Sequence, residues 1–154
     1  MPLYSAVLLG SAIIPLIFSF DKKVWFFQYW KSLFPAMVFT GSLFIGADVF
    51  FVSRGVWGFN PVYHSGILIL GLPLEEWLFF ILIPYACVFT HYVFISYFPL
   101  ARVGKKTVCL ISAIIVLSLV SVIVLNWQRS YTVFIFTILI ISIIASAVFS
   151  KDLL

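Results

Sequence analysis

The sequence carries very little charge for its length. Only 9% of its 154 residues are charged, whereas 64% are hydrophobic. A soluble globular domain has about 25% charged residues, so this chain lacks the polar side chains that would cover it in water. We therefore predict an integral membrane protein whose solvent is lipid. An aromatic content of 19% suits contact with lipid.

Other residue types are missing where particular membrane chemistries need them. Every lysine lies in a predicted loop or tail, so no helix supplies the Schiff-base lysine of a retinal protein. The sequence has no aspartate-rich diphosphate motif of the membrane prenyltransferase kind, no glycine-rich nucleotide fingerprint and no paired histidine spacing for haem or zinc. Cys87 and Cys109 fall inside apolar runs, so we expect free, buried thiols rather than disulfides.

What the sequence does have is long apolar runs. A membrane-spanning helix needs about 20 consecutive, mostly apolar residues. We therefore predict an all-α fold, a polytopic transmembrane helical bundle of about five spans. The predicted spans are Leu3–Phe20, Leu33–Val52, Leu74–Ile95, Thr107–Leu125 and Tyr131–Phe149.

The net charge of +4 is concentrated in the loops, which indicates topology rather than nucleic-acid binding. Only Arg54 and Arg129 lie in the even-numbered loops. The odd-numbered loops and the tail hold the other seven basic residues: Lys22, Lys23, Lys31, Arg102, Lys105, Lys106 and Lys151. The positive-inside rule then predicts an N-terminus outside the membrane and a cytoplasmic C-terminus.

Three of the five acidic residues fall within or at the edge of predicted spans. Asp48 is near the end of the second span, and Glu75 and Glu76 are in the first turn of the third. Consecutive spans run antiparallel, so these acids are expected at similar depth on one side of the membrane. Acids inside a membrane are costly and are functional candidates by default.

The loop between these acids is rich in turn-forming and bulky residues. Its sequence Arg54-Gly55-Val56-Trp57-Gly58-Phe59-Asn60-Pro61 combines glycine, asparagine and proline, which favour tight turns, with two large aromatic rings. Two interpretations stay open for the rings of Trp57 and Phe59. The loop folds back as a lid over the acids, or the rings anchor it at the membrane interface.

The string Pro73-Leu74-Glu75-Glu76-Trp77-Leu78-Phe79-Phe80 also has two interpretations. Proline and acids both favour a helix N-terminus, so the pair could be solvated glutamates at an interface. Against this, adjacent positions lie about 100° apart on a helix, so both cannot easily face water beside a packed bundle. His91 lies roughly 24 Å farther along the helix and is too distant to share a site with them.

These two strings together resemble the lycopene cyclase domain family, whose recurrent motif is Pro-x-Glu-Glu/Asp followed by apolar and aromatic residues. Members are small membrane-embedded carotenoid cyclases of bacteria, found as paired subunits or tandem fusions, and a related domain occurs in fungal bifunctional proteins. The resemblance implies a three-helix cyclase-like unit over residues 1–100. Residues 101–154 would be two further spans that begin an incomplete second unit.

The resemblance implies acid-catalysed ring closure of lycopene at the bacterial inner membrane, with Glu75, Glu76 and Asp48 as catalytic candidates. An acid protonates a terminal double bond, the cation closes a ring, and a proton is lost. The reaction is an isomerisation, so we expect no cofactor and no metal. Six residues are predicted to bind the polyene or stabilise the cation: Trp57, Phe59, Asn60, Trp77, Phe79 and Phe80.

The expected partners are lycopene, the lipid bilayer and a second cyclase unit or another copy of the chain. The family works as two three-helix units, so a chain with one motif is expected to need a partner or to belong to a longer parent. The alternative is a non-enzymatic membrane protein that binds carotenoid or assembles with a partner.

Overall fold

The computed structural model describes residues 3–98 and 104–149. Five α-helices lie in this part of the chain: α1 (Leu3–Phe18), α2 (Trp30–Ser53), α3 (Leu74–Tyr97), α4 (Lys105–Leu125) and α5 (Ser130–Phe149). A turn of 3-10 helix, Phe26–Tyr29, leads into α2, and two short strands, β1 (Leu68–Ile69) and β2 (Leu72–Pro73), precede α3. The predicted all-α, polytopic helical bundle is confirmed. Of the basic residues used to predict the orientation, Lys31 lies in the first turn of α2 and Lys105 and Lys106 begin α4, rather than lying in loops. Arg102 and Lys151 lie outside the described residues.

The helices differ in whether they are long enough to cross a bilayer. Four apolar segments are, namely Phe26–Ser53, Leu74–Tyr97, Lys105–Leu125 and Ser130–Ala147. Helix α1 has 16 residues, two fewer than the Leu3–Phe20 segment expected from hydropathy. At 1.5 Å per residue it is about 24 Å long, shorter than a hydrocarbon core of about 30 Å. The protein is therefore multi-pass, and a complete first span stays a prediction.

The chain divides into two compact units, residues 1–100 and 101–154. In the first unit, α1 and α2 both pack against α3. Tyr4 near the start of α1 contacts Glu76, and Ser19 just beyond its end contacts Tyr85. Helices α1 and α3 therefore run parallel, and their N-terminal ends lie on the same side of the unit.

An aromatic cluster stabilises the half of this unit away from the acids. Phe26 is buried and packs edge-on against Tyr85 and Phe89, with ring centroids 5.8 and 5.4 Å apart. The Tyr85 hydroxyl accepts a 3.2 Å hydrogen bond from Nε1 of Trp30 and also pairs with the Ser19 hydroxyl. The connection between α1 and α2 is thus part of the packed core.

A tight hairpin sets the start of α3. Strands β1 and β2 pair antiparallel, with Leu68 opposite Pro73 and Ile69 opposite Leu72. The two turn residues have positive φ, 53° at Leu70 and 81° at Gly71. This region suits glycine but is unusual for leucine. The hairpin leads directly into Leu74. The conformation of its turn therefore sets the position of Glu75 and Glu76 in the bundle.

The second unit is simpler. Helices α4 and α5 pack against each other, and none of the α4 side chains, all of which are described, is buried. Cys87 in α3 and Cys109 in α4 are free cysteines, as predicted. The prediction that their thiols are buried is wrong, because both are exposed on the apolar helix surface.

Candidate functional site

The three acids within the helices are all buried. Glu75 and Glu76, in the first turn of α3, have exposed fractions of 3% and 7%, and Asp48 near the end of α2 has 6%. The structure brings Asp48 close enough to Glu76 for their carboxyl groups to interact electrostatically. The two glutamates are therefore not solvated caps at a helix end. They belong to the packed interior of the first unit.

Glu75 is held by two hydrogen-bond donors on a single carboxyl oxygen. The Ser5 hydroxyl and the backbone N–H of Ser65 each donate to Oε1 at 2.8 Å. Its other oxygen, Oε2, is buried and has no hydrogen-bond partner among the described residues. Three separate segments, α1, the loop and α3, thus meet at one carboxyl group.

Glu76 points to a different neighbour. Its Oε2 accepts a hydrogen bond from the Tyr4 hydroxyl, one residue before Ser5 on α1. The backbone N–H of Tyr4 donates in turn to the carbonyl of Tyr63 in the loop, at 3.1 Å. Helix α1 and the loop are therefore joined next to the acid pair.

A pocket of about 180 Å³ adjoins Glu75. Its polar lining residues are Ser5, Ser65 and Glu75. The rest of the lining is aliphatic: Leu8, Leu9, Ile67, Leu74, Leu78 and Leu82. Leu9 and Leu78 are 44% and 41% exposed on the surfaces of α1 and α3, so in a membrane the pocket borders lipid. An apolar pocket with a single carboxyl group suits protonation of a hydrocarbon.

The predicted aromatic residues lie outside this lining. Trp57 and Phe59 pack on each other in the loop, with ring centroids 5.0 Å apart. Phe79 and Phe80 pack edge-on at 5.4 Å, and Phe80 also stacks on Phe44 of α2.

The remaining two predicted binding residues have local contacts. The Trp77 indole N–H donates to the Ile69 carbonyl at 3.3 Å, which ties α3 to the hairpin. Asn60 is exposed, and its Oδ1 accepts a 3.0 Å bond from the Val62 N–H. In this arrangement Trp77 and Asn60 support the hairpin and the loop.

The loop between α2 and the hairpin, residues 54–67, meets the acids through its second half. Ser65 bonds Glu75, and the Ile67 carbonyl accepts a 2.9 Å bond from the N–H of Leu74 at the helix start. These contacts hold this part of the loop against Glu75 and the start of α3, and the lid over the acids stays a prediction. His64 uses its Nδ1 to accept a bond from the Gly66 N–H at 3.0 Å.

Tyr4, Ser5 and Ser65 contact the acid pair but carry no distinguishing signal in the sequence. Tyrosine is enriched at membrane interfaces, and an isolated serine at a helix end or in a loop is common. Their partners lie 72, 70 and 10 positions away along the chain. Within residues 3–98 and 104–149, no group of three His, Cys, Asp or Glu side chains is arranged to hold a metal ion.

The fold and this site define a class of protein: a multi-pass helical membrane protein with a buried carboxyl pair beside an apolar pocket. The model of a family described as lycopene cyclase matches residues 1–94, which is more than half of the chain. The chain therefore belongs to the lycopene cyclase family, as its motifs predicted, and to carotenoid biosynthesis. Comparison with curated proteins and with solved structures gave no match.

Proposed function

We propose that this chain closes the end ring of lycopene, alone or as a subunit of the cyclase, with Glu75 as the proton donor. One observation carries the proposal. Glu75 is 3% exposed, lines an apolar pocket and leaves one buried carboxyl oxygen without a hydrogen-bond partner. Family membership supports the carotenoid substrate, and the bordering lipid is where such a substrate dissolves.

The hydrogen bonds of Glu75 are compatible with a neutral carboxylic acid. In that form one oxygen only accepts, and the other carries the proton. Oε1 already accepts from Ser5 and Ser65, so the proton belongs on Oε2. Oε2 is buried and has no hydrogen-bond partner among the described residues, and we propose that its proton is the one transferred to a substrate.

The reaction needs only proton movements. The Glu75 proton adds to the terminal double bond of the linear polyene and leaves a tertiary carbocation. A neighbouring double bond attacks this cation, a carbon–carbon bond closes the six-membered ring, and the positive charge moves onto a ring carbon. Loss of a proton from a carbon next to it forms the ring double bond. Product and substrate are isomers, so the stoichiometry requires no electron carrier.

The pocket volume limits how much substrate enters. An apolar cavity of about 150 Å³ holds one benzene ring. The pocket of about 180 Å³ is close to this size and opens at the helix surface, so we propose that it receives one end of the polyene. We propose that the chain acts on one end at a time, while the rest of the polyene extends past Leu9 and Leu78 into lipid.

Glu76 and Asp48 are proposed as partners of the donor rather than donors themselves. Neither lines the pocket, and Glu76 is held by Tyr4. Glu76 would receive the final proton or return one to Glu75, and Asp48 would orient Glu76. The described pocket lining includes no aromatic ring, although ring faces stabilise cations. We therefore propose that a second cyclase unit, from another chain or another copy, completes the site.

Expression in lycopene-producing bacteria tests the function. The full chain is expressed alone and together with a second cyclase unit, and carotenoids are separated by chromatography. Monocyclic or bicyclic product is the expected result, and product only on co-expression would support the need for a partner. The matched control is Glu75→Gln, with the amount of protein in the membrane measured for each strain.

Lycopene left unchanged in both strains, with the protein present in the membrane, would overturn the cyclase proposal. That outcome would favour the non-enzymatic alternative, a membrane protein that binds carotenoid or assembles with a partner. If unconverted carotenoid copurifies with the chain, the protein binds carotenoid without acting on it.

A further inference from the structure

The first turn of α1 contacts both members of the acid pair. Ser5 donates to Oε1 of Glu75 at 2.8 Å, and the Tyr4 hydroxyl donates to Oε2 of Glu76. Two consecutive residues of α1 thus meet two consecutive residues of α3. Because α1 and α3 run parallel with their starts together, this match follows from how the helices pack.

These polar contacts are separate from the packing that holds the helices together. The buried residues of α1 that follow Tyr4 and Ser5 are Leu8, Ala12 and Pro15, and the first two have exposed fractions of 2% and 1%. Tyr4 and Ser5 themselves are only half-buried, and their hydroxyl groups reach the two carboxyl groups. Apolar packing along α1 therefore remains when either hydroxyl is removed.

Each hydroxyl restricts one carboxyl group. A glutamate side chain has several rotatable bonds, and burial alone does not fix which oxygen faces the pocket. Ser5 and the Ser65 N–H both donate to Oε1 of Glu75, so Oε2 is the oxygen without a hydrogen-bond partner among the described residues. Tyr4 bonds Oε2 of Glu76, whose carboxyl group also interacts electrostatically with Asp48, so the Tyr4 contact restricts where that carboxyl group lies.

We propose that Tyr4 and Ser5 are positioning residues of the cyclisation reaction. Ser5 orients the proton donor Glu75, and Tyr4 holds Glu76 as its partner. This inference rests on the proposed function. It assigns a role to α1, which carries neither the Pro-x-Glu-Glu string nor the loop that precedes it.

Single substitutions in the full chain test the contacts. Initial rates of lycopene conversion are measured in isolated membranes and normalised to the amount of chain present. Ser5→Ala and Tyr4→Phe should each lower the rate about tenfold, as expected when a hydrogen bond to a carboxyl group is lost. Ser5→Thr, which keeps a hydroxyl, should restore most of the rate. Ser11→Ala is the matched control on α1, because the Ser11 hydroxyl bonds only the Leu8 carbonyl of its own helix.

A double substitution shows whether Tyr4 acts through Glu76. Glu76→Asp shortens the side chain and withdraws it from the Tyr4 hydroxyl. Tyr4→Phe should therefore lower the rate about tenfold in the parent chain and have little further effect in Glu76→Asp. Equal losses in both backgrounds would mean that Tyr4 acts independently of Glu76 and would overturn its assigned role.

The outcomes separate this inference from the function on which it rests. If the parent chain cyclises lycopene and Glu75→Gln does not, but Ser5→Ala and Tyr4→Phe keep the parental rate, only the positioning roles are wrong. Failure of Ser5→Thr to recover more than Ser5→Ala would also count against Ser5. A parent chain that converts no lycopene overturns the function and this inference together.

Discussion

Two adjacent glutamates with the same side chain have different surroundings. Glu75 lines the apolar pocket and is bonded through Oε1, whereas Glu76 is absent from that lining and is bonded to Tyr4. Their positions about 100° apart around α3 produce this difference. The role proposed for each glutamate follows from the residues that its side chain contacts.

The first prediction concerns Glu75. Glu75→Gln keeps the size of the side chain and its acceptor oxygen but removes the acidic proton. We expect lycopene conversion to fall at least about 10²-fold, the usual loss when a general acid is removed. Product analysis in membranes with verified protein levels is the measurement. His91→Ala, on the same helix but distant from the pair, should leave conversion unchanged, and full activity of Glu75→Gln would refute the mechanism.

The second prediction compares the same shortening at both positions. Glu75→Asp withdraws the carboxyl group from the pocket by one methylene, so the distance to the substrate double bond increases. Glu76→Asp withdraws its carboxyl group from Tyr4, but Glu76 is not part of the pocket lining. Conversion rates should therefore fall more in Glu75→Asp than in Glu76→Asp. The reverse order would exchange the roles of the two residues.

At the level of elements, the hairpin before α3 sets the position of the site. Gly71 has a φ of 81°, a conformation that costs other residues about 1–2 kcal/mol. Leu70 already adopts a φ of 53° without that freedom. The two-residue turn thus depends on Gly71, and Glu75 follows it by only four positions.

The third prediction compares two glycines that both have open surroundings but differ in backbone conformation. An added methyl group would meet no neighbouring atom within 4 Å at either Gly71 or Gly58, but only Gly71 has positive φ. Gly71→Ala should lower the free energy of unfolding by about 1 kcal/mol, and Gly58→Ala should not. The midpoint of thermal unfolding in detergent is the measurement. Equal midpoints for the two variants would show that the turn does not strain alanine.

For the whole molecule, the distribution of basic residues predicts the orientation. The fourth prediction is that reporters fused after Lys31 and after Arg102 are cytoplasmic and that a reporter fused at Asn60 is external. The physical reason is the retention of lysine and arginine on the cytoplasmic side. Reporters active on only one side of the membrane give the answer. The opposite pattern would reverse the orientation but keep the acids together, because they share one end of α1, α2 and α3.

The sequence alone determined the membrane class and the helices, since both depend on local properties. Runs of apolar residues long enough to span a bilayer predicted α3 to its first residue, Leu74, and the other helices to within three residues at each end. The Pro73-Leu74-Glu75-Glu76 string and its preceding loop identified the family, which the match over residues 1–94 confirms. The sequence alone predicts these features because each depends on residues within one short segment.

Only the tertiary structure decided what surrounds the acid pair. The contacts of Ser5 with Glu75 and of Tyr4 with Glu76 span 70 and 72 positions, and they depend on how α1 is rotated against α3. Span three is apolar on every side, so periodicity did not show which glutamate lines the pocket. The same packing left the predicted aromatic residues, such as Trp57 and Phe79, outside the lining. Hydropathy records burial in lipid but carries no information on the direction in which each buried group points.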